Sequence, residues 1–259
     1  MNYLSVAQDI VKRAGAMLLK HRDEDFDIET KMERSDYVTT ADKEIEKYMV
    51  SELHNQFPDH TIIGEEFGEN TGDGKFTWRV DPIDGTSNFV HHLPHSTVVL
   101  SLENTSEVLL GVVYDPFVDE LFFAERGQGS YMNKKKLHVS PIDSLAKSCV
   151  IFNPDWRRKE TCEANIKLAE KLYRGVETIP NFGSAALHMC YVACGRAEGY
   201  VGMYVDPYSM NAGKIILEEA GGKMTDARGD TWSMHSDSSI ISNHYVHEEL
   251  LKVCSVVYH

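Results

Sequence analysis

Residues 80–89 read Val80-Asp81-Pro82-Ile83-Asp84-Gly85-Thr86-Ser87-Asn88-Phe89. Two aspartates stand three residues apart, with a proline between them and a Gly-Thr pair directly after. The residues ahead of them, Thr77-Trp78-Arg79-Val80, have the alternating character of a short strand. The pattern predicts Asp81 at the strand end and Asp84 on the turn beyond it. Pro82 fixes one φ, and Gly85 lets the backbone come close to a ligand. Two carboxylates on one rigid turn make an oxygen-rich site suited to Mg²⁺, a hard cation. The amides of Gly85 and Thr86 could point at a phosphate, above all where a helix starts there. Asp-Pro and Asp-Gly pairs also punctuate ordinary surface turns, so a bare D-x-x-D-G is weak by itself.

Two upstream segments bear on this reading. His60-Thr61-Ile62-Ile63-Gly64-Glu65-Glu66 is a β-branched strand running into a Gly-Glu-Glu. Asp36-Tyr37-Val38-Thr39-Thr40-Ala41-Asp42 contains Thr39-x-x-Asp42, a helix start of the S/T-x-x-D/E type. The helix after it carries Ile45, Tyr48, Met49, Leu53 and Phe57 near the spacing of a buried face. Asp42 therefore has two compatible readings: a carboxylate favoured by the amino end of a helix, or a member of the site. Glu65 and Glu66 alone would suit a solvated loop.

Taken together, the segments resemble the inositol monophosphatase family, the lithium-sensitive, Mg²⁺-dependent phosphatases of small phosphoesters. Residues 80–89 resemble its metal-binding motif, and Gly64-Glu65-Glu66 its glutamate segment. Lys31 with Asp36–Asp42 resembles its K…D-x-V-T-x-x-D pattern. Downstream, Phe182-Gly183-Ser184-Ala185-Ala186 and Ala193-Cys194-Gly195-Arg196-Ala197-Glu198-Gly199-Tyr200 look like the G-S-A-A helix and its continuation. Ala212-Gly213 and Glu219-Ala220-Gly221-Gly222 resemble the end of the W-D-x-A-A-G…E-A-G-G motif. By motif the likeness runs from Lys31 to Gly222.

Two positions depart from the family. A gapless alignment keeps Pro207 but puts Tyr208 at the family's tryptophan and Ser209 at its aspartate, which binds a second metal near the leaving group. A hydroxyl is a poorer Mg²⁺ ligand than a carboxylate, and the one charge nearby that could replace it is Asp206. Gly202 falls where the myo-inositol enzymes have a glutamate that binds inositol hydroxyls. Its loss points to another small phosphate ester or to broad specificity. Tyr200, Tyr204 and Tyr208 recur every four residues, as packing aromatics or as ribose and base contacts.

Composition agrees with this picture. A chain of 259 residues suits one large or two small domains, and 42% hydrophobic with 25% charged residues is an ordinary globular balance. No apolar run approaches the ~20 residues of a membrane span. The amino terminus has neither the basic start nor the apolar core of a secretion signal; Leu4, Ala7, Val11, Ala14 and Leu18 instead trace one helix face. A cytoplasmic protein is expected. The net charge of −14 disfavours nucleic-acid and anionic-membrane partners. It becomes compatible with a phosphate substrate once bound Mg²⁺ reverses the local sign. Lys134-Lys135-Lys136 reads as a solvated hairpin turn. Five cysteines without a C-x-x-C read as free thiols, and His91-His92-Leu93-Pro94-His95 lacks a second zinc cluster.

Periodicity predicts helices near 4–20, 42–56, 160–173, 184–194, 210–220 and 245–256, and strands around 61–63, 77–80, 97–102, 108–114 and 120–124. Near residues 141–144 a strand meander gives way to alternating strand and helix. This predicts an N-terminal α+β domain over 1–143 that carries the metal motifs and a C-terminal α/β domain over 144–259 that completes the site. The resemblance implies an α+β fold, the layered α-β-α-β-α sandwich of the inositol monophosphatase and fructose-1,6-bisphosphatase type, in a homodimer. It also implies hydrolysis of a small phosphomonoester with two or three Mg²⁺ ions, the second weakened by Ser209. Glu65, Asp81, the Ile83 carbonyl and Asp84 would hold metal. Glu65, Thr86 and Asp42 would serve catalysis, and Asp84, Gly85, Thr86, Ser184, Ala185 and Ser209 would meet the substrate. Two alternatives stay open: a phosphatase of 3′-phosphoadenosine nucleotides, NADP or fructose 1,6-bisphosphate, and a non-catalytic member that binds metal or phosphate.

Overall fold

A computed structural model describes residues 2–24, 26–30, 37–70, 72, 74–154, 161–203 and 206–255. Lys31 and Asp36 of the upstream pattern, and Tyr204, lie outside the described residues. The first part of the chain forms α1 (Tyr3–Arg22), the hairpin β1 (Ile28–Thr30) and β2 (Tyr37–Thr39), and α2 (Thr40–Gln56). Next come β3 (Thr61–Gly64), β4 (Gly68–Asn70), β5 (Phe76–Asp84) and the short helix α3 (Thr86–Val90). A meander is then built from β6 (Thr97–Asn104), β7 (Val108–Asp115), β8 (Glu120–Glu125), β9 (Gly129–Met132) and β10 (Lys135–Lys136). After a 3-10 turn at Leu145–Lys147 the chain forms β11 (Val150–Asn153), α4 (Cys162–Gly175), α5 (Ala185–Ala193) and β12 (Gly199–Gly202). It finishes with α6 (Met210–Glu219), β13 (Lys223–Thr225), β14 (Ser239–Ser242) and α7 (His247–Ser255).

These elements stack in layers. Helices α1 and α2 cover one face of an eight-stranded sheet ordered β10-β9-β8-β7-β6-β5-β3-β4. Helices α5 and α6 cover the other face and carry on their far side a four-stranded sheet ordered β11-β12-β14-β13. Helices α4 and α7 close the stack. The result is an α-β-α-β-α sandwich, and each gap between layers holds an apolar core. Strand alternation divides the residues among these cores: Trp78, Val80, Val98 and Leu100 pack toward α1 and α2, whereas Val99 packs toward α5 and α6. Helix α5 lies between two sheets and buries Ala186, Leu187, Met189, Cys190 and Val192, more than one face of its circumference. No helix among the described residues is long and apolar enough to cross a membrane.

Strand β5 differs from the expectation in a way that matters for the site. It does not end at Asp81 but continues through Asp84, the last strand residue. Asp81 pairs with Val99 and Asp84 with Thr97, so β5 holds one residue more than β6 over this interval. Pro82 has no N–H to give the ladder, and the pairing shifts at that point, as at a β-bulge. Helix α2 begins at Thr40, slightly earlier than the apolar spacing suggested, because Thr39 and Asp42 form a reciprocal capping box. Lys135 and Lys136 pair with Met132 and Tyr131, leaving Asn133 and Lys134 as a two-residue turn. Tyr200 lies on β12, fully buried, with its ring edge-on to His188.

Candidate active site

The bulge in β5 sets the two aspartates in different surroundings. Asp81 is fully buried, and neither of its carboxylate oxygens has a hydrogen-bond partner. Burial, and after it the charges of Glu65, Asp206, Asp84 and Asp42, pushes its pKa well above the usual carboxylate range. Glu65 stands beside it because β3 runs parallel to β5 and the Glu65 amide donates to the Val80 carbonyl at 3.2 Å. Asp206 arrives from the turn ahead of α6, where its Oδ1 accepts from the Tyr208 amide at 2.9 Å. Glu65, Asp81 and Asp206 each offer a carboxylate oxygen, and these oxygens lie within 4.8 Å of one another.

A buried carboxylate with two unpartnered oxygens is costly unless a cation meets it. The donor set is all oxygen and all anionic, the chemistry of a hard divalent cation. These residues therefore fit the metal that the sequence motif implies. The expected ligand set does not include Asp206, although the sequence offers it as the one nearby charge able to replace the family's aspartate, which aligns with Ser209. Its signal in the sequence is the Asp-Pro-Tyr at the head of α6, which turns the carboxylate inward.

Asp84 is held differently. It accepts hydrogen bonds from the Ser184 hydroxyl at 2.5 Å and from the Ala185 and Ala186 amides at 3.1 and 2.8 Å. Burial raises its pKa, opposed by these three donors. Ser184 and Ala185, expected at the substrate, thus contact Asp84 and fasten β5 to the amino end of α5.

Thr86 begins α3, and its hydroxyl lies 2.9 Å from the Ile83 carbonyl and 3.4 Å from Asp42 Oδ1. The other Asp42 oxygen accepts from the Thr39 amide and hydroxyl at 2.7 and 2.6 Å. Asp42 therefore caps α2 with one oxygen and lies within hydrogen-bond distance of Thr86 with the other. Gly85 has φ of +91°, and a Cβ there would sit 2.9 Å from the His95 carbonyl oxygen, so the position suits glycine on two counts.

Ser209 caps α6 but is fully buried, and its hydroxyl has no partner. At Gly202 a Cβ would fall 2.6 Å from Ser239 Oγ and 2.8 Å from the Tyr200 hydroxyl oxygen. Those two groups fill the space that a longer side chain would need.

A model of the inositol monophosphatase family matches residues 2–256. The "Fructose-1,6-bisphosphatase/inositol-1-monophosphatase" of Thermotoga maritima is 35% identical over 99% of this chain and 97% of its own length. "Nus factor SuhB" of Vibrio cholerae is 34% identical over 93% of this chain and 91% of its own. The crystal structure of the extragenic suppressor protein suhB from Bartonella henselae superposes with a TM-score of 0.94 at 30% identity, covering 98% of each chain.

Proposed function

This chain belongs to the inositol monophosphatase family, and we propose on that footing that it is a Mg²⁺-dependent hydrolase of a small phosphomonoester. Asp81 carries the proposal, because its two buried, unpartnered oxygens stand against Glu65 and Asp206. Glu65, Asp81 and Asp206 would hold Mg²⁺, with Asp84 and the Ile83 carbonyl beside them. When bound, the cation neutralises the phosphate and brings the pKa of a water molecule toward neutrality.

The chain's own residues do the rest. Thr86 accepts a proton from the attacking water and passes its own hydroxyl proton to Asp42, 3.4 Å away. The Gly85 and Thr86 amides supply donors for the phosphoryl oxygens as charge builds on them. Asp84 stays fixed by Ser184, Ala185 and Ala186, which limits reorganisation during turnover. Asp206 takes the part that the family gives to the aspartate at the Ser209 position.

For the leaving group, the closed space at Gly202 favours an ester other than inositol phosphate. The printed name of the Thermotoga relative supports fructose 1,6-bisphosphate as a candidate, beside NADP and 3′-phosphoadenosine 5′-phosphate. A second reading, a binding partner without turnover, draws on the relative named as a Nus factor.

Phosphate release from inositol 1-phosphate and those three esters, at graded Mg²⁺, tests both readings against Asp84→Asn. Mg²⁺-dependent turnover that vanishes in the variant establishes the hydrolase, and the best ester names its substrate class. Absence of turnover on every ester favours the binding partner.

A further inference from the structure

Helix α2 carries a second buried carboxylate, one turn after Asp42, that the chemistry above leaves unused. Glu46 is fully buried. Its Oε2 accepts from the Glu66 amide at 2.8 Å and its Oε1 from the Phe67 amide at 2.9 Å. Both oxygens thus bind consecutive amides of the turn that leaves β3 and carries Glu65. The last residue of β3, Gly64, faces the same carboxylate, and a Cβ there would overlap it. The strand end is therefore shaped to admit Glu46, and Glu46 reaches across from α2 to hold the Glu65–Phe67 turn.

Stability alone does not account for this arrangement. Burial is the largest influence on Glu46 and, with Glu66 and Glu65 nearby, it outweighs the two amide bonds and raises the pKa to about 7. An apolar side chain packed against β3 would avoid that desolvation. The two bonds instead fix the position of Glu65. On the same helix Asp42 accepts from Thr86, so two points of one rigid element hold two of the three segments that make up the acidic site.

We propose that Glu46 is a positioning residue of the metal centre, holding the Glu65–Phe67 turn so that the Glu65 carboxylate stands against Asp81 and Asp206. The inference rests on the reading of that cluster as a cation site. Glutamine at 46 has one acceptor oxygen and would turn an amide N–H₂ toward the other backbone N–H. One bond is lost and one repulsion is made, with little change in volume. Alanine at 64 attacks the same contact from the strand side.

The test is Mn²⁺ titration of the full chain without substrate, read by electron paramagnetic resonance, for wild type, Glu46→Gln, Gly64→Ala and Asp81→Asn. Outer partners of metal ligands typically change affinity by about 10–100-fold. Glu46→Gln and Gly64→Ala should both weaken Mn²⁺ binding about tenfold or more. In steady state Glu46→Gln should raise the Mn²⁺ concentration for half-activity, with kcat at saturation within a few-fold of wild type. The lost bond should lower the metal-free melting temperature of Glu46→Gln somewhat, so Mn²⁺ affinity is compared well below both melting temperatures, where a merely structural defect leaves it at the wild-type value. If Glu46→Gln binds Mn²⁺ like wild type while Asp81→Asn loses it, the positioning role is overturned and the metal site stands. If Asp81→Asn also binds like wild type, the metal site falls and the role of Glu46 falls with it.

Discussion

Asp81 destabilises the metal-free protein, because it buries a charge that no group in the fold answers. Asp81→Asn should therefore raise the melting temperature by several degrees in a chelating buffer and lose that advantage in millimolar Mg²⁺, a change of sign that calorimetry reads directly. Asp206 and Ser209 form a second test. Asp206→Asn should raise the Mg²⁺ requirement about tenfold or more, and Ser209→Asp should recover part of that loss in the double variant. If Ser209→Asp lowers the requirement just as much in the wild-type background, Asp206 is not the substitute ligand. Asp81, Asp84 and Thr86 were legible because one contiguous run carries them and its order restricts the backbone. Asp206 was less so, since it stands three residues from the aligned position and a turn brings it inward. Glu46 was not legible at all. It falls on the buried face of α2 with Asp42, Met49 and Leu53, but a glutamate there carries no sign of its partner until the strand end opposite it is known to be glycine.

Among the elements, α2 depends on its cap and lends that cap to the site. Thr39→Ala removes the side-chain half of the capping box and should lower stability by about 1 kcal/mol in denaturant titration. It should also depress turnover, since Asp42 loses the hydroxyl that orients it. Strand β7 ends on Asp115, buried and bonded to the Phe117 amide at 2.9 Å, where burial raises its pKa to about 6. A raised value in the folded state gives stability that is present below the unfolded pKa near 4 and lost as pH rises through about 6. Asp115→Asn should therefore match wild type near pH 4 and exceed it at pH 8, by at most ~3 kcal/mol for a shift of this size. Thermal melts across that range check it. The strands and long helices were legible from period and turn residues. The reach of β5 to Asp84 was not, because a proline inside a run signals a strand end and here marks a bulge.

At the scale of the whole molecule, the net charge of −14 and the acidic centre could hold a cation before any substrate arrives, and under the proposed function that cation would raise stability. Saturation at about a hundred times Kd adds about 2.7 kcal/mol, or roughly 5–10 °C at ~2–4 °C per kcal/mol for a chain of this size. A chelator should lower the melting temperature by that amount, and Asp81→Asn should respond to it little or not at all. The five-layer arrangement came from resemblance rather than from periodicity, which sees one element at a time and not the sheet order. The middle layer has a further consequence, in the order of synthesis. The large sheet is complete at Lys136, but the helices that cover its second face end only at Glu219. About 80 residues separate the two, on the order of 4–16 s of translation at roughly 5–20 residues per second. Until α5 is made at Ala193 and α6 at Glu219, the cover of Val99, Val113 and Phe122 is incomplete. The nascent chain on the ribosome is thus the form most in need of a chaperone, and that need ends when α6 emerges.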